Sequence, residues 1–286
     1  MSMSCAAYDT DYSNQFGYNI TAAYRSLGID DGDISLYNYA NNPLNRSGFN
    51  SVNTRSFSIA HRDMGDYTLL LIVIRGSGQM FVSDDWPLDF EAMNLITPEW
   101  MGVHIHSGFY KFATEVEAGI NDHLDRHPEI LEKLNAGRLK VVVTGHSLGG
   151  AVSNLIGAFL ESDANYDDLQ VSPGDLFVYS FATPRVFTTK DNRSREFEPE
   201  FSTAYRCLNL FNIVISQDPV PNFPKDLYHW GMWYRFGVTL LFESSYFSIS
   251  PGDYHRPQNY INVVTNGQSY EQFQKQWKGI FISNAE

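Results

Sequence analysis

Apolar positions along this chain follow two periods. Ile34-Ser35-Leu36-Tyr37-Asn38-Tyr39 alternates and predicts a strand. Ser56 to His61 and Tyr67 to Ile74 predict two more, paired as a hairpin around Asp63-Met64-Gly65-Asp66. Leu139 to Val143, Asp175 to Phe181 and Tyr205 to Val214 read as further strands, rich in the β-branched and aromatic residues that suit a pleated core. Other stretches repeat every three or four positions. Residues 5–28 read as a helical entry closed by Gly28. Phe109, Phe112, Val116, Ile120, His123 and Leu124 mark a long helix that ends before Pro128, and Leu131 to Leu134 a short one closed by Gly137. Val152, Leu155, Ile156 and Phe159 mark another, and a last segment starts near Gln258. Strands interleaved with helices imply an α/β fold: a mostly parallel central sheet flanked by helices, with its chemistry at the carboxyl ends of the strands.

Composition narrows this reading. At 286 residues the chain can bury a sizeable core, and a single domain over 1–286 is expected. No internal repeat or low-complexity linker interrupts it. A formal net charge of −13 argues against nucleic acid as a partner and gives no attraction to an anionic membrane surface. The longest apolar run, Tyr67 to Ile74, is too short to span a bilayer. The first residues lack a basic start and a hydrophobic segment, so no signal peptide is expected in this chain, and a processed, secreted protein is favoured over a cytoplasmic one. Two cysteines, Cys5 and Cys207, allow one bridge at most, and two unpaired thiols are the favoured state.

The strongest chemical signal is Gly145-x-Ser147-x-Gly149, placed between the Val141-Val142-Val143 strand and the helix carrying Val152 and Leu155. Strand, sharp turn, helix is the setting of a nucleophile elbow. Side chains flanking the serine would collide with the strand and helix around it, and glycines remove them. The Leu148 N–H, at the helix start, can stabilise an oxyanion. A second stretch, Val73-Ile74-Arg75-Gly76-Ser77, ends a buried strand in Gly then Ser and can direct a backbone N–H and a hydroxyl towards the elbow. Residues 78–101 are long, aromatic and interrupted by proline, hence a lid or a core-covering loop.

A serine nucleophile needs an imidazole to take its proton and a carboxylate to hold the imidazole's tautomer. Asp218, at a strand end between Gln217 and Pro219-Val220-Pro221, is the candidate acid. In folds with an elbow the order is serine, acid, histidine. Six of the eight histidines precede Asp218, leaving His229 and His255. His255 lies between the last apolar strand pattern and the closing helix, and it is the preferred base. His104-x-His106 has the spacing of two metal ligands on one strand face, but no Cys or carboxylate completes the set, so it reads as structural. No metal and no organic cofactor is expected.

Together these residues resemble the class 3, fungal-type lipase family of the α/β-hydrolase superfamily. The resemblance covers roughly residues 55–265. It rests on Ile74-Arg75-Gly76-Ser77, Asp85-Trp86, His106-Ser107-Gly108-Phe109, Thr144 to Gly150, Thr183-Pro184-Arg185-Val186 and Asp218-Pro219-Val220-Pro221. It implies Ser147 as nucleophile, Asp218 as acid and His255 as base, with Ser77 and Leu148 as the oxyanion hole. Asp89 is implied as the acid supporting Ser77, and residues 79–100 as a lid. The activity implied is hydrolysis of acylglycerol esters through an acyl-enzyme, with an acyl ester or lipid as substrate, in solution or at a lipid–water interface. A phospholipase or a short-chain or feruloyl-type esterase is the alternative, and a non-catalytic lipid-binding module on the same fold is a remoter one. Oligomeric state is not read from the sequence.

Overall fold

The β-branched runs do pair into a sheet. In the computed structural model, residues 2–8, 20–39, 44, 46, 55–77, 95–99, 103–161, 169–188, 209–223, 233–235, 237–244, 248 and 251–265 are described. The strands are β1 (Ile34–Tyr37), β2 (Phe57–Asp63), β3 (Thr68–Ile74), β4 (Leu95–Ile96), β5 (His104–His106), β6 (Leu139–His146), β7 (Leu176–Phe181), β8 (Phe187–Thr188), β9 (Leu210–Ile215), β10 (Trp233–Tyr234) and β11 (Val238–Phe242). The helices are α1 (Ser2–Ala6), α2 (Ile20–Ser26), α3 (Ser107–Arg126), α4 (Glu129–Asn135), α5 (Leu148–Glu161), α6 (Pro251–Tyr254) and α7 (Pro257–Val264).

Seven strands form the main sheet in the order β1-β2-β3-β6-β7-β9-β11. β1, β2 and β3 are antiparallel neighbours, and every pairing from β3 to β11 is parallel. The predicted hairpin is therefore the antiparallel margin of a parallel sheet, as expected. A second sheet, β10-β8-β5-β4, is antiparallel and built from two- and three-residue strands. Strands that short carry no readable period, and the sequence did not predict this sheet.

Alternation along each strand sorts side chains between two helical layers. Phe57 and Ile59 of β2, Leu70, Ile72 and Ile74 of β3, and Val141 and Val143 of β6 join Phe112, Val116 and Ile120 of α3 and Leu155 and Ile156 of α5 in the largest core. Their neighbours Ala60, Leu71 and Val73 face the other way, against Ile20 and Tyr24 of α2. Phe181, Ile213 and Ile215 pack against Tyr260 of α7 on that second side. Phe112, Phe159 and Ile156 are wholly buried, each contributing about 1.5–3 kcal/mol of apolar burial.

Of the helical entry, α1 and α2 are described, and residues 9–19 between them lie outside the described residues. α1 ends in a turn at residues 7–8, and the Tyr8 hydroxyl lies 2.8 Å from His146 Nδ1 on β6. Gly28 closes α2 at φ +72 and Gly137 follows α4 at φ +66, the left-handed geometry that glycine adopts at no steric cost. Cys5 is buried and free, its thiol pushed up to about 12 by burial. Within the expected lid, only 95–99 is described, and Leu95–Ile96 belong to the small sheet. Residues 79–94, Asp85-Trp86, Asp89, His229 and Cys207 lie outside the described residues.

Candidate active site

The turn between β6 and α5 is held on every side. Ser147 has φ 60, a left-handed conformation that costs a non-glycine residue of order 1–3 kcal/mol and survives only where its surroundings impose it. Here its N–H donates to the Phe181 carbonyl at the end of β7 (2.9 Å), and its own carbonyl accepts from Ala151 N in the first turn of α5 (3.1 Å). A Cβ on Gly145 would stand 2.2 Å from the Gly149 carbonyl oxygen, and one on Gly149 would stand 2.3 Å from the Ile74 carbonyl oxygen. Both positions therefore require glycine for close backbone approach, as the motif predicts. Ser147 is fully buried, and its Oγ has no hydrogen-bond partner among the described residues.

Asp218 lies just past the end of β9. Its Oδ1 accepts from Val220 N (2.9 Å), and its Oδ2 accepts from His255 Nδ1 (2.8 Å) and from the Tyr260 hydroxyl (2.7 Å). Pro219 and Pro221 flank Val220 in a short 3-10 turn, which stiffens the segment presenting that amide. Asp218 and His255 are 1% and 3% exposed, so their bond is a desolvated, charge-assisted one. With Nδ1–H committed to the carboxylate, Nε2 is the ring nitrogen left to accept a proton. His255 occupies the turn between α6 and α7, the loop the sequence selected for it.

Two tyrosines that sequence reasoning did not single out brace this pair. Burial, and then the Asp218 charge, push the Tyr260 hydroxyl well above its ordinary pKa, so it stays protonated and donates to the carboxylate. It also accepts from Ile215 N at 3.1 Å, tying α7 to β9. Tyr8 bonds His146, whose ring lies 4.8 Å from that of His255. Burial, and then proximity to His255, hold His146 well below the usual histidine pKa, against the opposing effect of the His255 backbone. His146 is a neutral, packed ring beside the site. Neither tyrosine had a local signal: Tyr8 lies 138 positions from His146 and Tyr260 lies 42 from Asp218.

Beside the elbow, Leu148 opens α5, where a helix leaves its first N–H groups without intrahelical acceptors. Ser77 is half-buried just after β3. A Cβ on the preceding Gly76 would meet the Tyr8 hydroxyl at 2.1 Å and the His146 carbonyl oxygen at 2.5 Å, so the Arg75–Ser77 segment approaches the elbow only through glycine. His104 and His106 do not converge on an ion. His104 Nδ1 meets Thr97 Oγ1, and His106 Nδ1 caps α3 by accepting from Gly108 N (3.2 Å) and Phe109 N (3.4 Å).

The carboxyl edge of the sheet thus gathers Ser147, Asp218, His255, Leu148 and Ser77 around a dry Asp–His pair. The arrangement suits proton abstraction from a serine hydroxyl and stabilisation of an oxyanion.

Known proteins match this chain in sequence and in fold. The family model for lipase (class 3) matches residues 71–228, more than half of the chain. A secreted mono- and diacylglycerol lipase of Fusarium solani is 28% identical over 155 residues, covering 54% of this chain and 39% of its own length. A triacylglycerol lipase of Arabidopsis thaliana is 26% identical over 223 residues, covering 68% and 41%. The chain therefore spans about two fifths of the length of these relatives. Among solved structures, the triacylglyceride lipase of Rhizomucor miehei superposes with a TM-score of 0.52 at 20% identity, covering 84% of this chain and 77% of that one. A variant of MDLA from Penicillium cyclopium gives 0.55 at 18% identity, covering 87% and 78%. Among the described residues no helix is long and apolar enough to cross a membrane. The fold is the α/β-hydrolase fold that the sequence predicts, and the chain belongs to the class 3 lipase family.

Proposed function

We propose that this chain, read as one domain over residues 1–286, is a serine carboxylester hydrolase acting on acylglycerol esters. The observation that carries the reading is the buried Asp218–His255 bond of 2.8 Å, which leaves His255 Nε2 as the proton acceptor at the sheet edge where Ser147 is held at φ 60. Ser147 Oγ attacks the ester carbonyl as its proton passes to His255 Nε2. Asp218 stays ionised and stabilises the imidazolium. The Leu148 and Ser77 N–H groups receive the oxyanion, with Asp89 supporting Ser77. Collapse expels the alcohol, which takes the proton from His255. Water then gives a proton to the same nitrogen and attacks the acyl-enzyme, and a second collapse releases the acid and restores Ser147. No step calls on a metal or an organic cofactor. Ser147 Oγ has no hydrogen-bond partner among the described residues, and such hydrogen bonds commonly tighten only once substrate is seated.

The acylglycerol substrate is supported by the names of the Fusarium and Arabidopsis relatives and by the aromatic, apolar residues 80–101, which we read as a lid over an acyl chain at a lipid–water interface. The Fusarium relative's name also supports action outside the cell. The test is hydrolysis of an ester chain-length series, below and above the solubility limit, by the wild type and by Ser147→Ala, His255→Ala and His229→Ala. Long-chain preference with a rise above the solubility limit is expected. Ser147→Ala and His255→Ala should each lose roughly 10⁴-fold or more in kcat, and His229→Ala little. Retained hydrolysis in Ser147→Ala would overturn the mechanism. Smooth saturation on short soluble esters would instead make the protein an esterase, with residues 80–101 a fixed wall. A wild-type rate equal to buffer on every ester would leave only a lipid-binding module.

A further inference from the structure

At the amino edge of the sheet a second group of histidines converges, away from Ser147. His61 pairs in register with Leu70, which pairs with Val141, six residues before Ser147 along the chain. At a strand rise of about 3.3 Å per residue, that is roughly 20 Å from the elbow. His123 sits in the last turn of α3 and His127 at its C-terminal cap. One nitrogen from each of the three rings lies within 4.8 Å of one from each of the others, and the rings are largely buried. Their centroids are 4.5, 4.6 and 5.2 Å apart.

The outer nitrogens of these rings face oxygen. His123 Nδ1 lies 2.6 Å from Ser35 Oγ, and His127 Nδ1 lies 3.3 Å from Glu129 Oε1. His61 Nε2 lies 3.6 Å from Glu129 Oε1 and 3.7 Å from Asp33 Oδ1. Two of the remaining nitrogens are directly apposed. His61 Nδ1 and His123 Nε2 are 3.1 Å apart, and His127 Nε2 is buried with no hydrogen-bond partner among the described residues. Ligating imidazoles in metalloproteins show this division, in which the outer N–H is held by an oxygen and the inner lone pair is left for the ion.

We propose that His61 Nδ1, His123 Nε2 and His127 Nε2 bind one divalent ion of the zinc class, with water in the fourth position. A tetrahedral ion with Zn–N bonds of about 2.0–2.1 Å spaces its ligand nitrogens about 3.3 Å apart, and the His61–His123 separation is already close to that. Imidazole must be neutral to ligate. Arg126 and Arg46 both pair with Asp122, at 3.0 and 3.7 Å, and the carboxylates of Asp33 and Glu129 add negative charge on the outer side. Without an ion, His61 and His123 share a single N–H···N bond and His127 Nε2 stays unsatisfied. With one, all three inner lone pairs are used. The ion would clamp β2 to the C-terminal end of α3, the helix whose other end reaches the catalytic edge.

The test is binding of Zn²⁺ and Co²⁺ to the full chain, stripped of metal by a chelator, followed by metal analysis after dialysis, the visible spectrum of the Co²⁺ form and thermal unfolding. His127→Gln is the main variant, because this ring is partly exposed at a helix end and its loss leaves the fold in place. His61→Asn is the second. The wild type should retain one equivalent, show the intense visible bands of four-coordinate Co²⁺, and gain about 5 °C in Tm at saturating Zn²⁺. Each variant should bind at least tenfold more weakly, with those bands lost. Ser147→Ala should bind as the wild type does. A wild type that retains no metal, or variants that bind it unchanged, would overturn the site.

Discussion

The two edges of the main sheet use the same side chain for different ends. At the carboxyl edge, one histidine is fixed through Nδ1 by a carboxylate that accepts from His255, Tyr260 and Val220. At the amino edge, three histidines face one another, and the nearest carboxylates stand behind them at 3.3–3.7 Å. A carboxylate bonded directly to Nδ1 sets one tautomer and stabilises the imidazolium, which is what proton transfer needs. Rings whose inner nitrogens converge, with oxygens behind, are arranged to stay neutral and share a cation. The rings are largely buried at both edges, but the carboxylates are not alike: the Asp218 side chain is fully buried, whereas those of Asp33 and Glu129 are 39% and 55% exposed.

The largest expected effect comes from removing that carboxylate while keeping its shape. Asp218→Asn should lower kcat at neutral pH by roughly 10⁴-fold, because an amide can leave the wrong His255 tautomer facing Ser147. Its Co²⁺ spectrum should match the wild type. Equal losses of esterase activity and of metal uptake would mean that the two edges form one cooperative unit, and the comparison would break.

Next comes packing at the elbow. Gly149→Ala drives a methyl group to 2.3 Å from the Ile74 carbonyl, a clash with backbone rather than with a yielding side chain. Urea unfolding should show a loss of about 1–3 kcal/mol or more, the cost of overpacking. Activity should fall further than stability alone explains, since Leu148 N–H moves with the helix start. An alanine variant with unchanged unfolding would mean that β3 and α5 can part here at no cost to stability.

A smaller effect should follow from Tyr260→Phe. This removes one donor from Asp218 and one acceptor from Ile215 N, and leaves the ring in place. A hydrogen bond to a buried charge contributes about 1.5–3 kcal/mol, so kcat should fall roughly ten- to hundredfold. A positioning role predicts that KM stays within about twofold, because the tyrosine acts through Asp218. A fall in kcat/KM carried by KM would make it part of the substrate pocket instead.

Local chemistry was legible in the sequence and distant contact was not. Gly145, Ser147 and Gly149 could be read because strand, turn and helix are contiguous, although Gly149 answers to the Ile74 carbonyl on the neighbouring strand. His255 followed from chain order, although nothing near it announced Tyr260. The small sheet escaped because β4, β8 and β10 have two residues each, too few to show a period. The amino-edge group was half visible. His123 and His127 stand four apart, the spacing of one helical face, but His61 lies 62 positions earlier on a strand. The sequence weighed only His104 and His106 as a metal pair and read them as structural, and in the fold they serve as a Thr97 partner and a helix cap.

That cap gives the smallest effect, and it acts on the helix that joins the two edges. His106 Nδ1 accepts from the first amides of α3, so it does this only while unprotonated. Burial, with Arg55 nearby, lowers its pKa from 6.5 to about 4. A histidine with a depressed folded pKa binds fewer protons folded than unfolded in the window between the two values. Its cap therefore contributes fully above pH 6.5, and the stability it supports is lost as pH falls from there towards 4. Allowing for the partial exposure of the ring, the loss is about 1–2 kcal/mol. His106→Asn keeps a capping oxygen and removes the titration. Urea unfolding at pH 7 should then show the variant close to the wild type, and at pH 4.5 the variant should be the more stable of the two. If the difference between them is the same at both pH values, the imidazole is not titrating in this window, and the start of α3 is held by packing rather than by its cap.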